Sequence, residues 1–228
     1  MGWHDLLFAH WPVPADTLRA LLPRTQPALE LDLFHGHAWL GVVPFRMSGI
    51  RLRGCPPIPG TAAFPELNVR TYGRANGRPG VWFFSLDAAS WLAVRAARCS
   101  FHLPYFEAAM ACTGDADGWT RYASRRTHRH GGVAELAMRY RPIGRAFQAA
   151  PGSLENWLTA RYRLFAADRQ GTLWRGEIQH PPWPLQRAEA EFNTLNLTRW
   201  LGLELPAAAP HLLFSRDLTV QAWRLAPA

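Results

Sequence analysis

The segment Glu66–Tyr72 constrains this chain more than any other. Leu67, Val69 and Thr71 alternate there with Glu66, Asn68, Arg70 and Tyr72. Successive side chains of a strand point to opposite faces, so this period of two predicts a β-strand with one apolar and one polar stripe. Turn signals recur at short intervals on either side of it. His35-Gly36-His37, Asn76-Gly77 and Asp168–Gly171 each separate two strand-like runs. Such spacing predicts a mainly β chain, about ten strands with three or four short helices.

The runs read as follows. Strands are expected at 6–11, 29–34, 38–47, 66–72, 81–86, 104–112, 119–127, 133–140, 161–167, 172–179, 185–192 and 218–225. Val81–Leu86 is apolar on both faces, which marks a central, buried strand. Helices are expected at 15–22, 88–98, 153–158 with Ser153 as N-cap, and 194–201. Gly54–Pro65 holds four prolines and reads as a rigid loop. No repeat or linker divides residues 1–228, so one domain is expected, and closing the sheet on itself disposes of its edges.

The polar stripe is the main candidate site. Facing solvent, Glu66, Asn68, Arg70 and Tyr72 are ordinary surface residues. Facing a cavity, they form a carboxyl, an amide, a guanidinium and a phenol in one row. A carboxyl buried beside arginine stays ionised, whereas one buried against apolar groups has its pKa raised and becomes an acid.

Lysine is absent: all 25 Lys+Arg positions are arginine. No side chain can therefore form an imine with a ketone, hold pyridoxal phosphate or serve as a phosphate-loop lysine. Arginine stays protonated and is no substitute. The one remaining amine, at Met1, is expected to be exposed. A net charge of +8 invites a nucleic-acid reading, but the arginines are scattered and the densest groups (Arg51 with Arg53; Arg125, Arg126 and Arg129) are short. No specific nucleic-acid partner is expected. His35 with His37, and His128 with His130, fall at turns without a third ligand nearby, so no metal and no cofactor are expected. Cys55, Cys99 and Cys112 are odd in number and lack C-x-x-C spacing. With no basic leader and no apolar run of membrane length, a reducing cytoplasm is the expected location. His180-Pro-Pro-Trp183-Pro reads first as a stiff corner that seats Trp183; the functional alternative is that His180 lines a pocket mouth.

Four blocks carry a resemblance: Trp3–Pro14, Phe64-Pro-Glu-Leu-Asn-Val-Arg-Thr-Tyr72, Gly80–Ala88 with Trp82, and His180–Trp183. Together they resemble the YqjF-like family of uncharacterised bacterial proteins, in the acetoacetate decarboxylase superfamily. The resemblance implies a cone-shaped antiparallel β-barrel with an internal cavity. Asp16–Arg19 and Leu29-Glu30 resemble the opening of the decarboxylase, and Glu66 in Phe64-Pro-Glu66 resembles its cavity glutamate. Counting from Pro104 puts Tyr105 and Phe106 where the decarboxylase carries its catalytic lysine pair. The family's usual Glu-Arg-Tyr stands here as Ala160-Arg161-Tyr162.

The resulting expectation is a small-molecule barrel whose cavity uses Glu66 and Tyr105 for chemistry and Asn68, Arg70, Tyr72, Trp82 and His180 for ligand binding. Acid–base chemistry on a carbonyl or aromatic compound is the leading reading. A non-catalytic carrier of a small hydrophobic molecule is the alternative, and an arginine-driven nucleic-acid binder stands third. Assembly into a homo-oligomer is left open.

Overall fold

Asn76 and Gly77 both take positive φ, 49° and 72°. That backbone matches the twist of a two-residue hairpin and joins two long strands. Around it, a computed structural model describes residues 1–51 and 63–228. The strands are β1 (Gly2–Val13), β2 (Glu30–Leu31), β3 (Ala38–Ser48), β4 (Ala63–Ala75), β5 (Arg78–Ala88), β6 (Tyr105–Gly114) and β7 (Thr120–Arg126). They continue as β8 (Glu135–Phe147), β9 (Arg163–Ala167), β10 (Leu173–Gln179), β11 (Leu185–Asn196), β12 (His211–Thr219), β13 (Gln221–Ala222) and β14 (Ala226–Pro227). The helices are α1 (Ala15–Leu21), α2 (Trp91–Phe101) and α3 (Leu154–Thr159). The expected proline loop begins outside the described residues, and its last three positions, 63–65, already belong to β4. No helix among the described residues is long and apolar enough to cross a membrane.

The strands close a ring in the order β5-β6-β7-β8-β11-β12-β1-β3-β4, with β4 returning to β5. Every seam is antiparallel except β5–β6, which is parallel. A parallel neighbour needs a crossover, and α2 supplies it between β5 and β6. The interior of this ring is packed, not hollow. Leu7, Val42, Leu67, Val69, Phe84, Leu136, Met138 and Phe214 fill it. Two tyrosines span it: Tyr122 Oη donates to Glu66 O at 2.7 Å, and Tyr140 Oη donates to Asp5 O at 2.6 Å.

A second loop of strands grows from the other side of the same wall. β9 pairs with β5, β10 with β9, and β13 with β10. β13 is the continuation of β12 through Val220. The strands β1, β3, β4 and β5 are thus common to both loops and buried on both faces, which explains the apolar run at Val81–Leu86, interrupted only by Ser85.

Four expected elements differ, and the first, the strand expected at 29–34, shortens to Glu30–Leu31 on the edge of β4. The helix expected at 88–98 starts later, because β5 runs on to Ala88 and Ser90 caps the helix by accepting from Ala93 N at 3.3 Å. The helical spacing at 194–201 yields to sheet pairing: Leu195 sits opposite Leu136, and a single 3-10 turn follows at 199–201. The last long strand is His211–Thr219, fixed by its register on β1, with 218–225 split by Val220.

Candidate functional site

The second loop of strands encloses a cavity of about 1490 Å³. Its wall on β4 is Glu66, Asn68 and Arg70, the polar stripe of the sequence. Leu67 and Val69, between them, point into the packed ring. The alternation of one strand thus serves a core on one side and a cavity on the other.

Glu66 and Tyr105 are the central pair. Leu86 of β5 lies opposite Tyr105 in the parallel seam and opposite Asn68 in the hairpin, so Tyr105 stands one strand beyond the stripe. Its hydroxyl donates to Glu66 Oε2 at 3.1 Å. Glu66 is 2% exposed and Tyr105 8%. Burial pushes the Glu66 carboxyl up to about 8, against the opposing effect of the Tyr105 hydrogen bond. Burial also pushes the Tyr105 phenol well above its ordinary value, with the Glu66 charge adding to it. At neutral pH both carry their protons: the phenol is spent on Oε2, and the carboxyl is an acid facing the cavity.

Arg70 leans across Gly41, where a Cβ would fall 3.3 Å from Arg70 Cγ and 2.9 Å from His10 Nε2. Glycine is what gives both side chains room. The guanidinium sits 5.4 Å from the Phe8 ring centre and 5.8 Å from that of Tyr72. Its Nε, and Asn68 Oδ1, are buried without a hydrogen-bond partner. Across the cavity, His180 Nδ1 donates to Pro181 O at 2.8 Å, which leaves Nε2 as an unpartnered acceptor. Burial lowers the His180 pKa and keeps the ring neutral. The corner also seats Trp183, whose Nε1 donates to Thr159 O at 2.9 Å. Glu66, Asn68, Arg70, Tyr105 and His180 therefore share one cavity.

Two expected ligand-binding residues lie elsewhere. Tyr72 is fully buried beyond the end of the cavity, where α3 closes the wall. Its hydroxyl bonds to Leu158 O at 2.9 Å and His10 Nε2 at 2.6 Å, and its ring packs on Trp157. Trp82 points away because Val81 and Phe83, on either side of it, take the cavity face; it packs against Leu29, Phe165 and Leu173 instead. The amine of Met1 is not free in solution either. Met1 lines the cavity, its nitrogen donates to Val220 O at 3.1 Å, and burial, helped by Arg51, lowers its pKa.

Sequence reasoning missed Arg161 as a cavity residue. Its guanidinium is stacked 4.2 Å from Trp157 and 4.8 Å from Tyr72, and Nη1 bonds to Asp32 Oδ2 at 2.7 Å. The Ala160-Arg161-Tyr162 segment held the signal. His35, His37, His128 and His130 remain apart at their turns. No group of three or more His, Cys, Asp or Glu among the described residues is placed to hold a metal ion.

Two strand loops that share a wall, one filled by the core and the other holding the cavity, define an acetoacetate-decarboxylase-like fold. An acetoacetate decarboxylase from Legionella pneumophila superposes with a TM-score of 0.64 at 14% identity, over 99% of this chain and 87% of that one. The enduracididine biosynthesis enzyme MppR, complexed with the condensation product of pyruvate and imidazole 4-carboxaldehyde, superposes at 0.61 with 17% identity, over 99% and 89%. These likenesses concern the fold. The chain itself belongs to the DUF2071 family of uncharacterized conserved proteins, whose profile matches residues 1–219. It is 44% identical over 223 residues to the uncharacterized protein YqjF of Bacillus subtilis (strain 168), spanning 98% of this chain and 89% of that protein.

Proposed function

We propose that this chain is an enzyme that moves protons on a carbonyl compound without forming an imine. The observation that carries the reading is the bond from Tyr105 to a Glu66 carboxyl that burial keeps protonated at neutral pH. A bound ketone placed against Glu66 receives its proton on the carbonyl oxygen. A base from solvent accepts the proton leaving the adjacent carbon, and the C–H electron pair becomes the double bond of the enol. As Glu66 loses its proton, the Tyr105 hydrogen bond becomes charge-assisted and stabilises the carboxylate. No lysine exists to offer the covalent alternative.

Deuterium exchange next to the carbonyl, followed by NMR over a panel of ketones, tests the reading. Wild type is expected to accelerate exchange of one chemical class, and Glu66→Gln to lose the acceleration while remaining folded. Exchange at the buffer rate for every ketone, with saturable binding of the same compounds, would make the protein a ligand carrier instead.

A further inference from the structure

The charges around the cavity do not balance. Glu66 is the single carboxyl side chain of the described lining, and burial keeps it neutral. Arg70 makes no ion pair with any carboxylate among the described residues. Arg161 shares its one partner, Asp32, with Arg74. Two of the cavity's guanidiniums keep a buried N–H without an acceptor, Nε of Arg70 and Nη2 of Arg161, and the Arg161 side chain is only 5% exposed. Both flank the ring of Tyr72, so the two unmet donors lie at the same end of the cavity. Buried cationic donors in that state are costly without an anion.

That end is remote from Glu66. Arg70 is four steps along β4 from Glu66, a run of roughly 13 Å at ~3.3 Å per residue. The wall between them is Val43, Leu86 and Phe8, apolar apart from Asn68. We propose that Arg70 and Arg161 form a carboxylate site, and that the ligand is an extended oxo-acid whose carboxylate and carbonyl are separated by an apolar spacer of several carbons. The inference rests on the reading of Glu66 as the group that meets the carbonyl. A short oxo-acid such as acetoacetate, with one methylene between the two groups, cannot reach both stations.

Calorimetric titration of wild type with 7-oxooctanoate, its methyl ester and acetoacetate tests this at neutral pH. The long acid is expected to bind at least about tenfold more tightly than the ester or acetoacetate, the loss of roughly one charge-assisted hydrogen bond. Arg70→Met is expected to remove that preference. The ester comparison uses wild type alone, so it stands even if the variant fails to fold. Equal binding of the ester, equal or tighter binding of acetoacetate, or no binding of any of the three overturns the proposal. Glu66→Gln separates the two ideas: it is expected to bind the long acid and exchange no protons. Acid-selective binding by a wild type that catalyses no exchange defeats the acid–base reading and leaves the carboxylate site standing. Exchange indifferent to the carboxylate does the reverse.

Discussion

The Tyr105 hydroxyl meets Glu66 Oε2 at 3.1 Å across a parallel seam that the α2 crossover makes possible. Tyr105 sits at the first position of its strand, immediately after the crossover. The placement of the pair is therefore a property of topology, not of local sequence.

Glu66 sets a pH dependence of stability. Its carboxyl rises from an unfolded value near 4.5 to about 8 in the fold. A raised carboxyl pKa means that the folded state holds the proton more tightly, so this contribution is fully present below 4.5 and is lost as pH rises through 8. The whole span is worth at most about 5 kcal/mol at ~1.4 kcal/mol per unit. Glu66→Gln keeps the neutral shape and removes the titration. Urea unfolding is expected to show wild type weakening between these limits and the variant staying level. A parallel slope in both would mean Glu66 is not the titrating group.

Catalysis, in the same reading, needs Glu66 protonated. At a fixed concentration of buffer base, the exchange rate is expected to hold level below neutrality and to fall as pH passes about 8. Glu66→Gln flattens what remains. A rate that still climbs above pH 8 would mean that Glu66 acts as a base.

Arg126 and Asp87 predict a large structural effect away from the cavity. Arg126 Nη2 and Nε reach Asp87 Oδ1 at 2.7 and 3.0 Å, and the guanidinium lies 4.0 Å from the Phe106 ring and 4.9 Å from Trp200. Burial already raises Asp87 to about 6 against the pull of Arg126. Arg126→Met leaves a buried carboxyl alone and is expected to cost about 3–5 kcal/mol. Adding Asp87→Leu should recover most of that loss in chemical denaturation. Full additivity of the two changes would show that they do not act as a pair.

The missing lysine predicts the absence of side-chain imines. Borohydride treatment with small keto acids should give no adduct by mass spectrometry beyond the terminal amine. Tyr105→Lys alone places its ammonium against Glu66, whose charge would hold the proton on. Combined with Glu66→Gln, the same lysine is desolvated without a counter-ion, and its pKa falls. The double variant is expected to be trapped at residue 105. A folded double variant that resists trapping would show that residue 105 does not face the bound carbonyl.

Nucleic acid is expected to bind weakly, with no sequence preference and a steep loss on adding salt. Many arginines are committed within the fold: Arg139 and Arg141 stack on Trp119 and pair with Glu191 and Glu189. Tight, sequence-selective binding in near-physiological salt would contradict this.

Much of the architecture was legible because it is written in short-range rules. The period of two at 66–72, the Asn76-Gly77 turn and the Ser153 cap (Asn156 N to Ser153 Oγ, 3.2 Å) all operate over a few residues. What depended on distant partners was not legible. The stripe was readable, yet nothing local told that it faces a second strand loop while a filled ring lies behind it. Tyr72 belongs to the stripe by period, but α3, more than eighty residues later in the chain, seals it off. Arg161 becomes a cavity residue only once Asp32 and Trp157 have fixed its side chain.

The shared wall divides labour by parity. On β4 the odd positions 67 and 69 answer to the ring core and the even positions 66, 68 and 70 to the cavity. Substitution can therefore drift through the even set, altering what the cavity accepts, while the odd set preserves the scaffold. A lineage could discard one chemistry and acquire another on such a strand without ever passing through an unfolded ancestor, and an engineer could follow the same route.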